Sequence, residues 1–248
     1  MKILKVKNYE QLSKAACDIV TKKIKNIEHP VLGLATGSTP EGLYKCLIER
    51  YEAGEITFAN ATSFNLDEYV GLDETHPGSY QYYMKDKLFN HINLPAERAF
   101  VPSGTDEDLQ AHCEAYEDKI KKAGKIDIQI LGIGINGHIG FNEPGTSFDS
   151  RTHVVELDES TREVNSRFFN SLDEVPTKAV TMGIQTIMDA DEVVLIISGE
   201  NKADTVLAFM ESEISEEFPA SILKKHPNFT LIVDEPAYSK VPDNIAAE

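Results

Sequence analysis

The chain has 248 residues, of which 41% are apolar and 26% are charged, and this is the composition of a folded globular protein rather than a disordered one. Its 24 basic and 41 acidic residues give a formal net charge of −17, which argues against nucleic acid or an anionic membrane surface as a partner. A small anionic ligand is compatible with this charge only if basic groups surround it locally.

Targeting segments and metal sites find no support in the sequence. The longest apolar run, Val193–Ile197, is too short to span a membrane, and the first residues contain no apolar stretch of signal-peptide length. Cys17, Cys46 and Cys113 form no C-x-x-C pair, and the seven histidines show no H-x-x-x-H spacing. We therefore expect a cytoplasmic protein with free thiols and without a dedicated metal site.

Short apolar runs alternate with amphipathic stretches along the chain. Helical spacing predicts helices at roughly 9–25, 41–51, 79–90 and 106–120, the last two with Ser79 and Asp106 as N-caps. Buried strands are predicted at 31–35, 62–66, 126–131, 152–157, 179–182, 193–197 and 229–233. This alternation predicts an α/β fold, in which one domain over residues 1–248 contains a doubly wound, mainly parallel sheet flanked by helices.

Ligands of such sheets bind beyond the carboxyl ends of the strands, so the residues that follow each strand are candidates for a site. After the first predicted strand comes Thr36-Gly37-Ser38-Thr39-Pro40, a small-residue turn that leads into a helix with Pro40 at its first position. This turn is either a plain helix cap or an anion site in which N–H groups and hydroxyls face outward.

Two adjacent carboxylates, Asp67 and Glu68, follow the second predicted strand. Successive strand side chains point to opposite sides, so we expect one carboxylate to face the crevice and the other to contact a structural partner. A carboxylate held partly out of water at this position is suited to general-base catalysis, and the alternative is a solvated turn acid.

A long glycine-rich loop follows the strand at 126–131. It contains a G-x-G-x-x-G pattern, but Gly140, Pro144 and Gly145 break the helix that a dinucleotide site requires at its third glycine. The loop carries Asn136, His138 and Glu143 instead. A histidine with an amide and a carboxylate nearby has the groups of a proton shuttle, in which one group moves protons and the others fix its tautomer.

Basic side chains occur at two further places. Lys202 falls in the first turn of a helix that follows Val193–Ile197, where a cation is unfavourable unless an anion compensates it, and the alternative is a solvated surface lysine. The polar segment 157–177 contains Arg162 and Arg167. This segment is either a surface helix or a lid that brings an arginine to an anionic group.

Taken together, these motifs resemble the glucosamine-6-phosphate deaminase family over nearly the whole chain. The matching segments are LATGSTP at 34–40, FNLDEY at 64–69, GHIGFNEP at 137–144, NSRFF at 165–169, TMG at 181–183, SGENKA at 198–203 and VDEPA at 233–237. The resemblance implies the conversion of glucosamine 6-phosphate and water into fructose 6-phosphate and ammonium, without a cofactor. It implies a small-molecule sugar phosphate as partner and does not predict the oligomeric state.

The resemblance also implies roles for individual residues. His138 matches the group that opens the sugar ring, and Asn136 and Glu143 match the groups that orient it. Asp67 matches the base that removes the C2 proton and returns it at C1, while Glu68 is left a structural role. The implied phosphate-binding residues are Thr36, Gly37, Ser38, Thr39, Arg167 and Lys202.

The sequence departs from one branch of this family in two respects. Asn136 stands where that branch has Asp. The strand after the Glu-Pro loop contains Val155 where the allosteric branch uses basic residues to hold an effector phosphate, so we expect no activation by N-acetylglucosamine 6-phosphate.

Two other functions compete with this interpretation. A 6-phosphogluconolactonase resembles the chain in fold and in a G-x-G-x-x-G-H loop, but the segments Phe141-Asn142-Glu143-Pro144 and Asp67-Glu68-Tyr69 follow the deaminase pattern. A sugar-phosphate-sensing domain of a transcription regulator would keep the phosphate site, lose the proton shuttle and carry a DNA-binding helix pair. Neither end of this chain contains a basic helix-turn-helix.

Overall fold

The computed structural model describes residues 1–166, 169–242 and 245. The strands are β1 (Lys2–Val6), β2 (Val31–Leu34), β3 (Thr62–Asn65), β4 (Asp67–Tyr69), β5 (Ala99–Phe100), β6 (Ile128–Leu131), β7 (His153–Glu156), β8 (Lys178–Thr181), β9 (Val193–Ile197) and β10 (Phe229–Asp234). The α-helices are α1 (Tyr9–Asn26), α2 (Glu41–Glu52), α3 (Tyr80–Lys87), α4 (Leu109–Lys122), α5 (Glu159–Asn165), α6 (Ile184–Met188), α7 (Ala203–Glu211) and α8 (Glu235–Tyr238). None of the helices in these ranges is long and apolar enough to cross a membrane.

The main sheet has seven parallel strands in the order β1-β10-β9-β6-β2-β3-β5. Every residue of β2, β6, β9 and β10 is buried, because helices cover both faces. Alternate residues of β9 enter opposite layers: Val193, Leu195 and Ile197 pack with α4, α6, α7 and α8, whereas Val194 and Ile196 pack with α1, α2 and α3. The predicted α/β class and doubly wound, mainly parallel sheet are confirmed.

A second, three-stranded antiparallel sheet has the order β4-β8-β7. The chain leaves the main sheet after Asn65, and Asp67 then pairs with Thr181 of β8, which pairs in turn with His153 of β7. The strands predicted at 152–157 and 179–182 therefore form, but in this sheet rather than the main one. A local apolar run predicts that a strand forms but not which strand it pairs with, so the second sheet was not predicted.

Several predicted boundaries need correction. The N-cap of α4 is Asp108, whose Oδ1 accepts a hydrogen bond from the Ala111 N–H at 3.0 Å. The predicted cap, Asp106, instead lies 2.6 Å from His112 Nδ1. Pro40 is the N-cap of α2 and not, as predicted, its first helical residue. Ser79 caps α3 as predicted, but the helix ends at Lys87 and a short 3-10 turn follows.

Besides β4, two strands of the main sheet, β1 and β5, were not predicted. In β1, which lies at an edge of the main sheet, two lysines flank the apolar pair Ile3 and Leu4, and this sequence resembles a solvent-exposed segment. The other, β5, has only two residues at the opposite edge. Both strands depend on a neighbouring strand rather than on their own apolar content.

Segment 157–177 connects β7 to β8 and contains α5. Its two ends are joined by the Leu157 N–H, which donates to the Thr177 carbonyl at 2.8 Å. The Arg162 guanidinium donates to the carbonyls of Leu172 and Val175 at 3.2 and 3.0 Å. These bonds tie α5 to the returning half of the segment.

Candidate active site

A cleft of about 540 Å³ lies beyond the carboxyl ends of the main-sheet strands β2, β6 and β9. Strand β4 and helix α5 contribute to its walls. The sequence-predicted residues that line it are Thr36, Gly37, Ser38, Thr39, Asp67, Asn136, His138 and Lys202. Glu143 lies behind His138, and Arg167 lies outside the described residues.

The loop between β2 and α2 is held from outside by tyrosine hydroxyls. Tyr9 donates to the carbonyls of Ser38 and Thr39 at 3.0 Å each, and Tyr83 donates to the Gly37 carbonyl at 2.6 Å. Gly37 has φ +102°, a conformation that favours glycine. With these carbonyls engaged, the loop has N–H groups and the hydroxyls of Thr36, Ser38 and Thr39 to offer an anion in the cleft.

Lys202 lines the same cleft and comes from the segment that follows β9. It ends a 3-10 turn immediately before α7, and its Nζ donates to the Ile133 carbonyl at 2.8 Å. Because Ile133 follows β6, this bond holds the ammonium group at the edge where the strands end. The prediction placed Lys202 in the first turn of the helix, whereas it is the N-cap of α7; its side chain lines the cleft.

Asp67 and Glu68 point to different surroundings, as the alternation of strand side chains predicts. The Glu68 carboxylate accepts hydrogen bonds from the backbone N–H groups of Tyr69, Tyr80 and Gln81 at 2.8, 2.9 and 2.9 Å, and it thereby caps α3. Asp67 faces the cleft although it is only 6% exposed. Burial, followed by the nearby charge of Glu68, raises the pKa of Asp67 to about 8.

Asn136, His138 and Glu143 form one hydrogen-bonded cluster. Asn136 Oδ1 lies 2.7 Å from His138 Nδ1, and Asn136 Nδ2 donates to Glu143 Oε2 at 2.8 Å. Because an amide oxygen can only accept, Nδ1 carries the ring proton and Nε2 is left as the proton-accepting atom. The same carboxylate oxygen of Glu143 lies 3.4 Å from Nδ1, close enough to stabilise a protonated imidazole.

The pKa of Glu143 reflects this cluster. Burial opposes ionisation, but the hydrogen bond and charge of His138 and the donors Thr161 and Asn136 together hold the pKa of Glu143 below its usual value. Thr161, on α5, donates to Glu143 Oε1 at 2.5 Å. Both oxygens of the buried carboxylate therefore have a donor.

The glycines of the loop allow the cluster to pack closely. A Cβ atom at Gly134 would lie 2.1 to 2.4 Å from three atoms of the His138 ring. Gly137 has φ +85°, and a Cβ there would lie 2.5 Å from the Phe218 ring. No helix opens at Gly137, since the described chain continues through turns to β7, as Gly140, Pro144 and Gly145 predict.

Sequence reasoning missed several residues of the cleft. Tyr69 and Tyr80 line it with their rings 4.9 Å apart, and their hydroxyls lie 3.3 Å from each other. The i, i+3 spacing of Tyr80 and Tyr83 on α3 was an available signal, because it puts both on one helix face. Thr161 carried no signal in the sequence, since its role depends on how α5 packs against the loop.

Helix α5 covers one side of the cleft. Thr161, Val164 and Asn165 line it, and Phe169 packs edge-on against Tyr69 with the ring centroids 5.7 Å apart. Within the ranges described, no group of three His, Cys, Asp or Glu side chains is arranged to hold a metal ion.

Comparisons with known proteins agree with this geometry. The family model described as glucosamine-6-phosphate isomerases/6-phosphogluconolactonase matches residues 7–232. A glucosamine-6-phosphate deaminase of Oceanobacillus iheyensis is 55% identical over 97% of this chain and 96% of its own length. Glucosamine-6-phosphate deaminase 1 of Bacillus subtilis is 50% identical over 98% of this chain and 100% of its own.

Solved structures give the same result. A monomeric glucosamine-6-phosphate deaminase is 51% identical and superposes with a TM-score of 0.95 over 96% of this chain and 99% of its own. A 6-phosphogluconolactonase of Thermotoga maritima has a TM-score of 0.75 over 94% of this chain and 99% of its own, but at 18% identity it shares the fold alone. The chain belongs to the glucosamine-6-phosphate isomerase/6-phosphogluconolactonase family, and its place in that family is with the glucosamine-6-phosphate deaminases.

Proposed function

We propose that this protein is an enzyme that converts glucosamine 6-phosphate and water into fructose 6-phosphate and ammonium, as the names of its relatives indicate for them. The observation that carries the proposal is the presence, in one cleft, of a buried carboxylate at Asp67 and a supported histidine at His138. The cleft volume of about 540 Å³ is in the range of small-molecule sites.

The first step is ring opening by His138. Its Nε2 accepts the proton of the anomeric hydroxyl, and the imidazolium then delivers that proton to the ring oxygen as the C1–O5 bond breaks. The imidazolium is stabilised by Glu143, 3.4 Å away, and its orientation is fixed by Asn136 at 2.7 Å. The products of this step are an open-chain aldehyde and an unchanged histidine.

The second step is proton transfer by Asp67. Its carboxylate removes the C2 proton and returns it at C1, while a proton of the amino group passes to O1, so the amino aldehyde becomes a C2 imine with a hydroxyl at C1. Water adds to C2 and ammonia leaves, so the atoms balance without a cofactor. Burial makes this carboxylate a stronger base than one in water, and the ammonium group of the substrate, next to C2, favours its ionised form on binding.

The substrate phosphate occupies the end of the cleft formed by the 36–39 loop and Lys202. The N–H groups and hydroxyls of the loop, with Lys202 and Arg167, supply local positive charge despite the net charge of −17. Support for the loop comes from the tyrosines that hold its carbonyls. Arg167 enters on the sequence resemblance alone.

The chain acts as one domain, and segment 157–177 serves as its lid. Three cleft-lining residues of α5 and the contact between Phe169 and Tyr69 support a covering role. The reaction takes place in the cytoplasm, in keeping with the free thiols of Cys17, Cys46 and Cys113. The net charge of −17 supports a small sugar phosphate rather than nucleic acid as the partner.

The test is ammonium release from glucosamine 6-phosphate by the purified protein, with hydrolysis of 6-phosphogluconolactone measured in parallel. We expect ammonium and fructose 6-phosphate in equal amounts, weak turnover of unphosphorylated glucosamine, and no lactone hydrolysis above the spontaneous rate. Enzymatic lactone hydrolysis without ammonium release would overturn the proposal.

A further inference from the structure

Thr161 joins helix α5 to the His138 cluster. The residue is 6% exposed, and its hydroxyl donates to Glu143 Oε1 at 2.5 Å. Glu143 is likewise 6% exposed, and its other oxygen accepts from Asn136 and lies 3.4 Å from His138 Nδ1. One carboxylate thus connects a helix of segment 157–177 to the imidazole.

We propose that Thr161 is a positioning residue for ring opening, which acts on His138 through Glu143. The proposal rests on the function proposed above and adds a residue to that site. A buried carboxylate oxygen without a donor is costly, so loss of the Thr161 hydroxyl frees Glu143 to rotate toward other donors. Rotation moves Oε2 away from Nδ1 and removes the negative charge that stabilises the imidazolium.

Helix α5, which carries Thr161, is also hydrogen-bonded to the rest of segment 157–177. Arg162 holds the returning half of the segment, a short 3-10 turn, through the carbonyls of Leu172 and Val175. The Thr161 hydroxyl is thus the contact through which this segment supports the His138 cluster.

The test compares Thr161→Val, which keeps the shape but lacks the hydroxyl, with Thr161→Ser, which keeps the hydroxyl. We expect the kcat for ammonium release to fall at least tenfold in Thr161→Val, with KM within about twofold of wild type, and to recover to within threefold in Thr161→Ser. Thr161→Ala takes the place of the valine variant if that variant does not fold.

Thr186 provides a matched control elsewhere in the chain. It is 3% exposed, and its hydroxyl donates at 2.6 Å to Glu117, another buried carboxylate, outside the cleft. Thr186→Val should lower the melting temperature without changing kcat. An equal loss of kcat in Thr186→Val would show that the effect at position 161 is merely structural and would overturn the proposal.

A double-mutant cycle tests the route through Glu143. In a Glu143→Ala background, Thr161→Val should change kcat by less than twofold, because the group through which it acts is gone. A full loss in that background, or an effect confined to KM, would overturn the proposal. A wild-type protein that releases no ammonium would instead reject the proposed function, and the positioning role with it.

Discussion

Gly134 lies directly beneath the His138 imidazole, so Gly134→Ala perturbs the ring and little else. The added Cβ would lie 2.1, 2.3 and 2.4 Å from Cε1, Nδ1 and Nε2 of His138. Carbon atoms pack at ~3.5–4.0 Å, so the ring has to retreat by more than ~1 Å. The Asn136 contact of 2.7 Å would then lengthen beyond hydrogen-bonding distance.

A displacement of this size has a predictable kinetic cost. Misplacing a catalytic group by ~1 Å lowers the rate by ~10²-fold, and we expect kcat for ammonium release to fall by about that factor. KM should stay within about threefold of wild type, since the phosphate loop at 36–39 is on a different segment. Steady-state ammonium release over a range of substrate concentrations gives both constants.

Thermal melts should show that the Gly134→Ala protein is folded, so that the loss of kcat is assigned to the displaced ring and not to unfolding. A Gly134→Ala enzyme with a kcat within threefold of wild type would refute the argument that the close packing of Gly134 fixes the ring.

Four further predictions follow from the site. Asp67→Asn should lower the rate of C2 proton exchange by ~10²–10⁴-fold. Burial raises the pKa of Asp67 in the folded protein, so this carboxyl group destabilises the fold increasingly as the pH rises. The same variant should therefore also raise the melting temperature, and by more at pH 8 than at pH 5. Lys202→Ala should raise KM by ~10- to 150-fold, the equivalent of ~1.5–3 kcal/mol for a charge-assisted contact, and leave the poor turnover of glucosamine unchanged. Asn136→Asp adds a negative charge beside His138, so the pH–rate profile of this variant should move toward higher pH, and an unmoved profile would contradict the contact between position 136 and the imidazole. N-acetylglucosamine 6-phosphate should leave the saturation curve hyperbolic and unshifted, whereas a sigmoidal curve that it straightens would contradict the prediction.

Much of the fold was predictable because the central strands are buried on both faces. Val193–Ile197 is a continuous apolar run whose bounds were predicted to the residue. Strand β4 was not predictable in the same way, since Asp67, Glu68 and Tyr69 contain no apolar run and the strand exists only by pairing with β8. A polar segment that follows a predicted strand therefore indicates a candidate site, but it does not indicate that the segment itself forms another strand.

The candidate site was predictable wherever its residues are neighbours in sequence. Asn136, His138 and Glu143 occupy one loop, and their hydrogen bonds follow from the local spacing. Thr161 and Tyr80 reach the same cleft from separate helices, and only tertiary packing brings them there. Such residues can be assigned to the site only once the structure is known.

The connection from β7 to β8 makes segment 157–177 the long loop of a β-hairpin. Its ends are already joined by the Leu157–Thr177 hydrogen bond, and β8 pairs directly with β4, the strand that carries Asp67. Changing the length of a loop whose ends are fixed costs little, about 0.6 kcal/mol for each doubling. A contiguous replacement between these two hydrogen-bonded residues can therefore alter substrate selection while Asp67 and His138 stay on the unaltered scaffold, provided that the new segment keeps Thr161, whose hydroxyl donates to Glu143.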